Sequence, residues 1–264
     1  MNATPLTFTS LDGLAFAAAR GRLSAIDTTY AARSLGPLME WRQLSLDGLL
    51  PPPGKSELLQ ISRVAAFNAA MGAGHSQWID RAHGSVGFYR TRADWSDDDT
   101  EWIGFGVAVQ RAATAIGFHR RIAARFAAAL GELAGNIQEH SGASPSGIVA
   151  FSAVDRTFEF VVADHGIGVL NSLRSAPDYA TLADHGTALQ LALTDGVSRY
   201  GKEAKRGKGF RPIFIGLANL TGSLRFRTGD HALTIEDQTI DLMLSKTAQK
   251  VELKGFLISV ACRL

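Results

Sequence analysis

A single cysteine, Cys262, occurs in 264 residues, so no disulfide can close within the chain and no metal site can rest on cysteine ligands. A reducing compartment is the expectation. Long hydrophobic runs are also missing: charges interrupt every apolar stretch before it nears the roughly 18 residues that span a bilayer. The first residues lack the basic start and apolar core of a secretory leader. These absences predict a cytoplasmic protein that makes no membrane contact. Neither sign of charge dominates, with 27 Lys and Arg against 25 Asp and Glu and a formal net charge of +2. That balance gives no case for a nucleic-acid surface. Internal repeats, low-complexity tracts and a G-x-S-x-G nucleophile elbow are absent. His165 and His185 each follow an aspartate, yet no third ligand at useful spacing argues for zinc.

What is present is apolar residue, 46% of the chain, enough for a sizeable core. All four tryptophans precede residue 103, whereas the polar motifs described below follow residue 130. This asymmetry divides the chain into an N-terminal region, 1–103, mostly helical and without a recognisable motif, and a second unit, 104–264. Residues 11–48 read as helical and stop at Pro51-Pro52-Pro53-Gly54. Ser56 then caps an expected helix through Leu58, Leu59, Ile61, Val64 and Phe67. Asp97-Asp98-Asp99 reads as a solvated helix start. From 101 to 140 the chain reads as helix broken near Gly117, with Ile122, Phe126, Ala129, Leu130, Leu133 and Ile137 on one apolar face.

After residue 145 the period changes. Residues 147–154 and 157–163 are β-rich runs separated by Asp155-Arg156, the pattern of a hairpin. A helical piece follows at 188–193, then a helix opened by Pro212 and ending near Gly222, then strands at 223–227, 232–235 and 256–263. This order predicts an α+β fold: a two-layer sandwich with helices on one face of a mixed, mostly antiparallel sheet, preceded by the largely helical N-terminal region.

Three segments carry the candidate chemistry. In Glu132-Leu133-Ala134-Gly135-Asn136-Ile137-Gln138-Glu139-His140, steps of four and three put Glu132, Asn136 and Glu139 on a narrow helical arc, with His140 at its edge. A carboxylate and an amide stacked this way can address one polyphosphate and its metal, and the Asn136 oxygen suits magnesium. Glu132 could orient or deprotonate a water or hydroxyl. The same residues also fit the wet side of an amphipathic helix. In Asp164-His165-Gly166-Ile167-Gly168, a carboxylate at a strand end can accept from an adenine amine, and glycines let the backbone approach a ring. An ordinary Asp-Gly loop is the other reading. Gly207-Lys208-Gly209 precedes a helix, so its amides suit phosphate oxygens, with Lys202, Lys205 and Arg206 nearby. A flexible basic loop fits that segment too.

Together these segments resemble the N, G1 and G2 boxes of the GHKL (histidine-kinase-like) ATPase superfamily, over residues 120–264. In motif style they are closest to the anti-sigma-factor serine kinases and their stand-alone bacterial relatives. The resemblance implies the ATP-binding Bergerat fold, with ATP and Mg2+ as cofactors. It implies Glu132 as catalytic base and Asn136 as metal ligand. Glu139, His140, Asp164, Gly166, Ile167, Gly168, Lys205, Gly207, Lys208 and Gly209 would contact nucleotide, and residues 170–206 would form a mobile lid. It further implies a protein partner, a sigma factor or an anti-anti-sigma-like domain, that is bound and phosphorylated. Two alternatives stay open: an ATP-hydrolysing switch that self-associates as a homodimer, and a non-catalytic module stabilised by nucleotide. Two departures stand out. Phe210-Arg211-Pro212 follows the last glycine pair where relatives commonly have leucine. Gly255-Phe256 stands where relatives often have Gly-Thr, which removes a hydroxyl near the adenine site.

Overall fold

The β-rich runs around Asp155-Arg156 do form a hairpin. Both turn residues sit at positive φ (50° and 60°), the two-residue geometry whose twist matches its flanking strands. The computed structural model describes residues 3–61, 64–80, 82–96, 98–142, 146–193, 210, 217, 220–240 and 245–264. In chain order the elements are β1 (Thr4–Pro5), α1 (Phe8–Ala19), β2 (Tyr30–Ala32), α2 (Leu35–Leu46), β3 (Leu59–Ile61), α3 (Ala65–Gly72), β4 (Gln77–Ile79), β5 (Val86–Arg90), α4 (Thr100–Ala115), α5 (Arg120–His140), β6 (Ile148–Val154), β7 (Thr157–Asp164), α6 (Gly168–Arg174), α7 (His185–Ala192), β8 (Thr221–Thr239) and β9 (Lys246–Arg263). The fold is α+β.

Six strands pair in the order β4-β5-β6-β7-β9-β8, every neighbour antiparallel. Among the described residues, parallel pairing is confined to a separate three-stranded sheet, β1-β2-β3. Strand alternation divides the large sheet's side chains between two cores. Phe151, Phe158, Phe160 and Val162 pack with α4 to α7. Ala150, Val161, Ala163 and Leu257 pack with α1 to α3. Both faces are therefore buried, which is why β7 is apolar almost throughout. The helices after residue 100 lie on one face, as expected of a two-layer unit. The N-terminal region adds a third layer on the other face, and its β4 and β5 extend the sheet across the 103/104 boundary.

Between its polar ends Thr157 and Asp164, the exception in β7 is Glu159, 7% exposed on the N-terminal side. Its two oxygens accept the Leu35 and Gly36 N–H groups, both at 2.7 Å. Ser34, the N-cap residue, makes no side-chain cap bond, so a carboxylate from the sheet caps α2 instead. On the opposite face, α5 is seated by Phe126 stacked on Phe158 at 4.6 Å.

Several local expectations change. The helical reading of 11–48 is interrupted by β2, and the helix expected from Ser56 is replaced by β3 followed by α3. Both strands exist because β2 pairs with β1 on one side and β3 on the other, a tertiary contact that local pattern does not carry. The strands at 223–227 and 232–235 are one long β8, with its register shifted around Gly229. The helix from Pro212 falls almost wholly outside the described residues, and Gly222 at its expected end belongs to β8, opposite Cys262. Asp99 does cap α4, its Oδ1 accepting the Glu101 N–H at 2.8 Å. Among the described residues no helix is long and apolar enough to cross a membrane.

Candidate functional site

Strand β7 ends on Asp164, which is 3% exposed. Its carboxylate accepts the Gly166 N–H at 2.7 Å and the N–H of Phe256. Burial pushes the Asp164 pKa up to about 6, against the pull of those two donors and of His165. Two glycines make this packing feasible. A Cβ on Gly166 would collide with the Ser141 carbonyl, which also accepts the Ile167 N–H at 2.8 Å. Gly255, at φ +76°, passes so close to Asp164 that a Cβ would strike its carbonyl and lie 2.5 Å from Oδ1. The turn is thus clamped between the C-terminus of α5 and the point where β9 begins to pair with β7.

Thr228 completes that clamp. It is fully buried on β8, opposite Phe256 in register. Its Oγ1 accepts the Val169 N–H and donates to the Gly255 carbonyl, each at 3.0 Å. A hydroxyl therefore does stand beside Gly255, supplied by the neighbouring strand rather than by the next residue.

From the other face, Gln43 Nε2 donates to the carbonyls of Asp164 (2.5 Å), Lys254 (2.8 Å) and Phe256 (3.3 Å). Asp47 Oδ1 lies 2.6 Å from His165 Nε2, and Oδ2 accepts the Lys254 N–H at 3.3 Å. A cavity of about 500 Å³ opens beside the turn. It is lined by His165, Gly166, Ile167 and Gly168, by Ser141 and Gly142 past α5, and by Asn171, His185 and Lys254 among others. Its size lies within the range of small-molecule sites.

Of the residues expected from sequence, Gly166, Ile167 and Gly168 line the cavity; Asp164 stands behind Gly166 and does not. Glu132 is exposed on α5 and Asn136 is half-buried. Glu139 is exposed, its carboxylate 3.8 Å from Nε2 of the half-buried His140. None of these four lines the cavity. Lys205, Gly207, Lys208 and Gly209 lie outside the described residues, as do Lys202, Arg206 and most of the lid's second half. Among the described residues, no group of three or more His, Cys, Asp or Glu is arranged to hold a metal ion.

Sequence reasoning missed Gln43, Asp47 and Thr228. The first two sit at the end of an apolar helix with no motif around them. Thr228 is legible only once the β8–β9 register is known. No family model, no curated protein and no solved structure matches this chain.

Proposed function

We propose that the chain is a GHKL-type regulatory protein that binds ATP with magnesium and acts by phosphorylating a bound protein partner. The observation that carries this reading is the end of β7. A buried carboxylate is held there by the first glycine's N–H and surrounded by glycine backbone, one glycine away from a cavity of about 500 Å³ that Gly166, Ile167 and Gly168 line. A carboxylate has about four lone-pair sites and retains acceptor capacity after the Gly166 and Phe256 bonds, so Asp164 suits an exocyclic amine of the adenine kind. The residues present fit the nucleotide in that respect.

When bound, ATP with magnesium supplies the phosphoryl group. Asn136 would contribute a side-chain oxygen to the metal, which keeps most of its shell as water and phosphate and needs no cluster of protein carboxylates. Glu132, one helical turn earlier, would orient or deprotonate the accepting hydroxyl. Lys205 and Lys208 would neutralise phosphate charge, with the Gly207 and Gly209 amides beside them. The partner class, a sigma factor or an anti-anti-sigma-like domain, follows from the resemblance, and the cytoplasmic location from the single cysteine and the interrupted apolar runs.

Titration with a non-hydrolysable ATP analogue tests the reading. Asp164→Ala removes a charged hydrogen-bond acceptor, and affinity should fall roughly 10- to 150-fold. GTP should bind the wild type poorly. Equal affinity of variant and wild type would overturn the assignment. Labelled ATP in single turnover then separates the chemistry: phosphoprotein indicates the kinase, free phosphate alone the switch.

A further inference from the structure

Helix α2 is tied to β7 at both ends. Its first turn donates two N–H groups to Glu159, and its last turn reaches the end of the same strand through Gln43. The carbonyls that Gln43 holds belong to Asp164, Lys254 and Phe256, where the β7–β9 ladder stops at the pair Asp164–Phe256. Buried carbonyls at a ladder's end need partners, and one amide from another layer supplies them. Gln43 is 4% exposed, so these bonds are made without competition from water. One residue past the helix, Asp47 grips His165 of the turn and the Lys254 backbone, at the same end of the β7–β9 ladder.

We infer that Gln43 and Asp47 are positioning residues, through which the N-terminal layer sets the geometry of the Asp164 turn without touching the cavity's occupant. The inference rests on the adenine-reading role proposed for Asp164. It makes the contacts at the C-terminal end of α2, rather than the packing of the N-terminal layer at large, what nucleotide affinity depends on. Gln43 keeps the strand ends at the separation that lets the Asp164 carboxylate accept from Gly166 and Phe256. Asp47 fixes His165, the residue between Asp164 and Gly166.

Three measurements on the full chain test this: affinity for an ATP analogue, the titration midpoint of the Asp164 carboxyl by NMR without nucleotide, and the melting temperature. Gln43→Met keeps the volume and removes the donors. It should weaken the analogue roughly tenfold and bring the Asp164 midpoint down from about 6 toward the ordinary carboxylate range, as water reaches the parted strand ends. Leu14→Ala, a buried cavity variant in α1, should lower the melting temperature at least as much while leaving affinity and midpoint unchanged. Should Gln43→Met fail to fold, Asp47→Asn carries the same expectation at smaller size. An unmoved midpoint in the folded variant, or equal shifts from Leu14→Ala, overturns the positioning role. If the wild type binds no ATP analogue, the nucleotide reading falls, and the Asp164 midpoint alone still decides the positioning role.

Discussion

Asp164 is a carboxyl group kept where a charge is costly. Its pKa, about 6, stands above the ordinary value because burial outweighs the Gly166 and Phe256 donors. The folded protein therefore binds this proton more tightly than the unfolded chain does. Its stabilising contribution is complete below about pH 4 and disappears as pH rises through about 6. By the same linkage, holding the ionised form at neutral pH costs roughly 3 kcal/mol. Asp164→Asn should consequently raise the melting temperature relative to wild type at pH 7.5, with the advantage shrinking at pH 4. Thermal scans at the two values check this, and a pH-independent difference would mean that the carboxyl is not strained by burial. Such a carboxylate, retained against stability, is what a binding role for Asp164 requires.

At the scale of the element, α5 presents two faces with different work. One packs Phe126, Leu130, Leu133 and Ile137 into the core, all essentially without exposure. The other carries Glu132 and Asn136, neither of them buried. If that arc serves the phosphate end of a nucleotide, removing the base spares ground-state binding and lowers turnover. Glu132→Gln should keep affinity for ATP within a few-fold while phosphotransfer falls roughly 10²-fold or more. Asn136→Ala should abolish the gain in affinity that magnesium brings. Calorimetry with and without the cation, beside a turnover assay, reads both. Wild-type behaviour in both variants would assign the arc to helix surface alone.

Over the whole molecule, the layers are locked by buried charge. Glu40 on α2 is fully buried and accepts from Arg225 at 2.7 and 2.8 Å and from Arg227 at 2.9 Å. Asp12 on α1 reaches Arg225 at 2.6 Å and Lys250 at 2.7 Å. Burial alone would depress the Arg225 pKa, but the two carboxylates hold it above its ordinary value. Arg227 is lowered, burial outweighing its share of the same carboxylates. Removing one partner of such a cluster costs about 3–5 kcal/mol, because it strands the remaining charge. Glu40→Gln should lower the melting temperature by roughly 10 °C. Because the cluster joins the N-terminal layer to β8 and β9, wild type and variant should each unfold in one transition. Two separate transitions in calorimetry would show the layers to be independent units.

Local pattern was sufficient wherever the physics is local. The break between α4 and α5, the Asp99 cap, the apolar face of α5 and the hairpin at Asp155-Arg156 all follow from residues within a few positions of one another. So does the glycine turn after Asp164, because strand, carboxylate and glycines are consecutive. Beyond that hairpin, the sequence could not determine which strands pair. β2 and β3 are too short to stand out from their helical surroundings and exist only through parallel pairing. Nor could it place Gln43, 121 positions from Asp164, or bring Thr228 beside Gly255, since both contacts depend on register and layer packing. The α+β class and the Asp164 turn were thus written in short-range chemistry. The third layer, the buried ion cluster and the support behind the turn come from long-range contacts, which only the folded chain brings together.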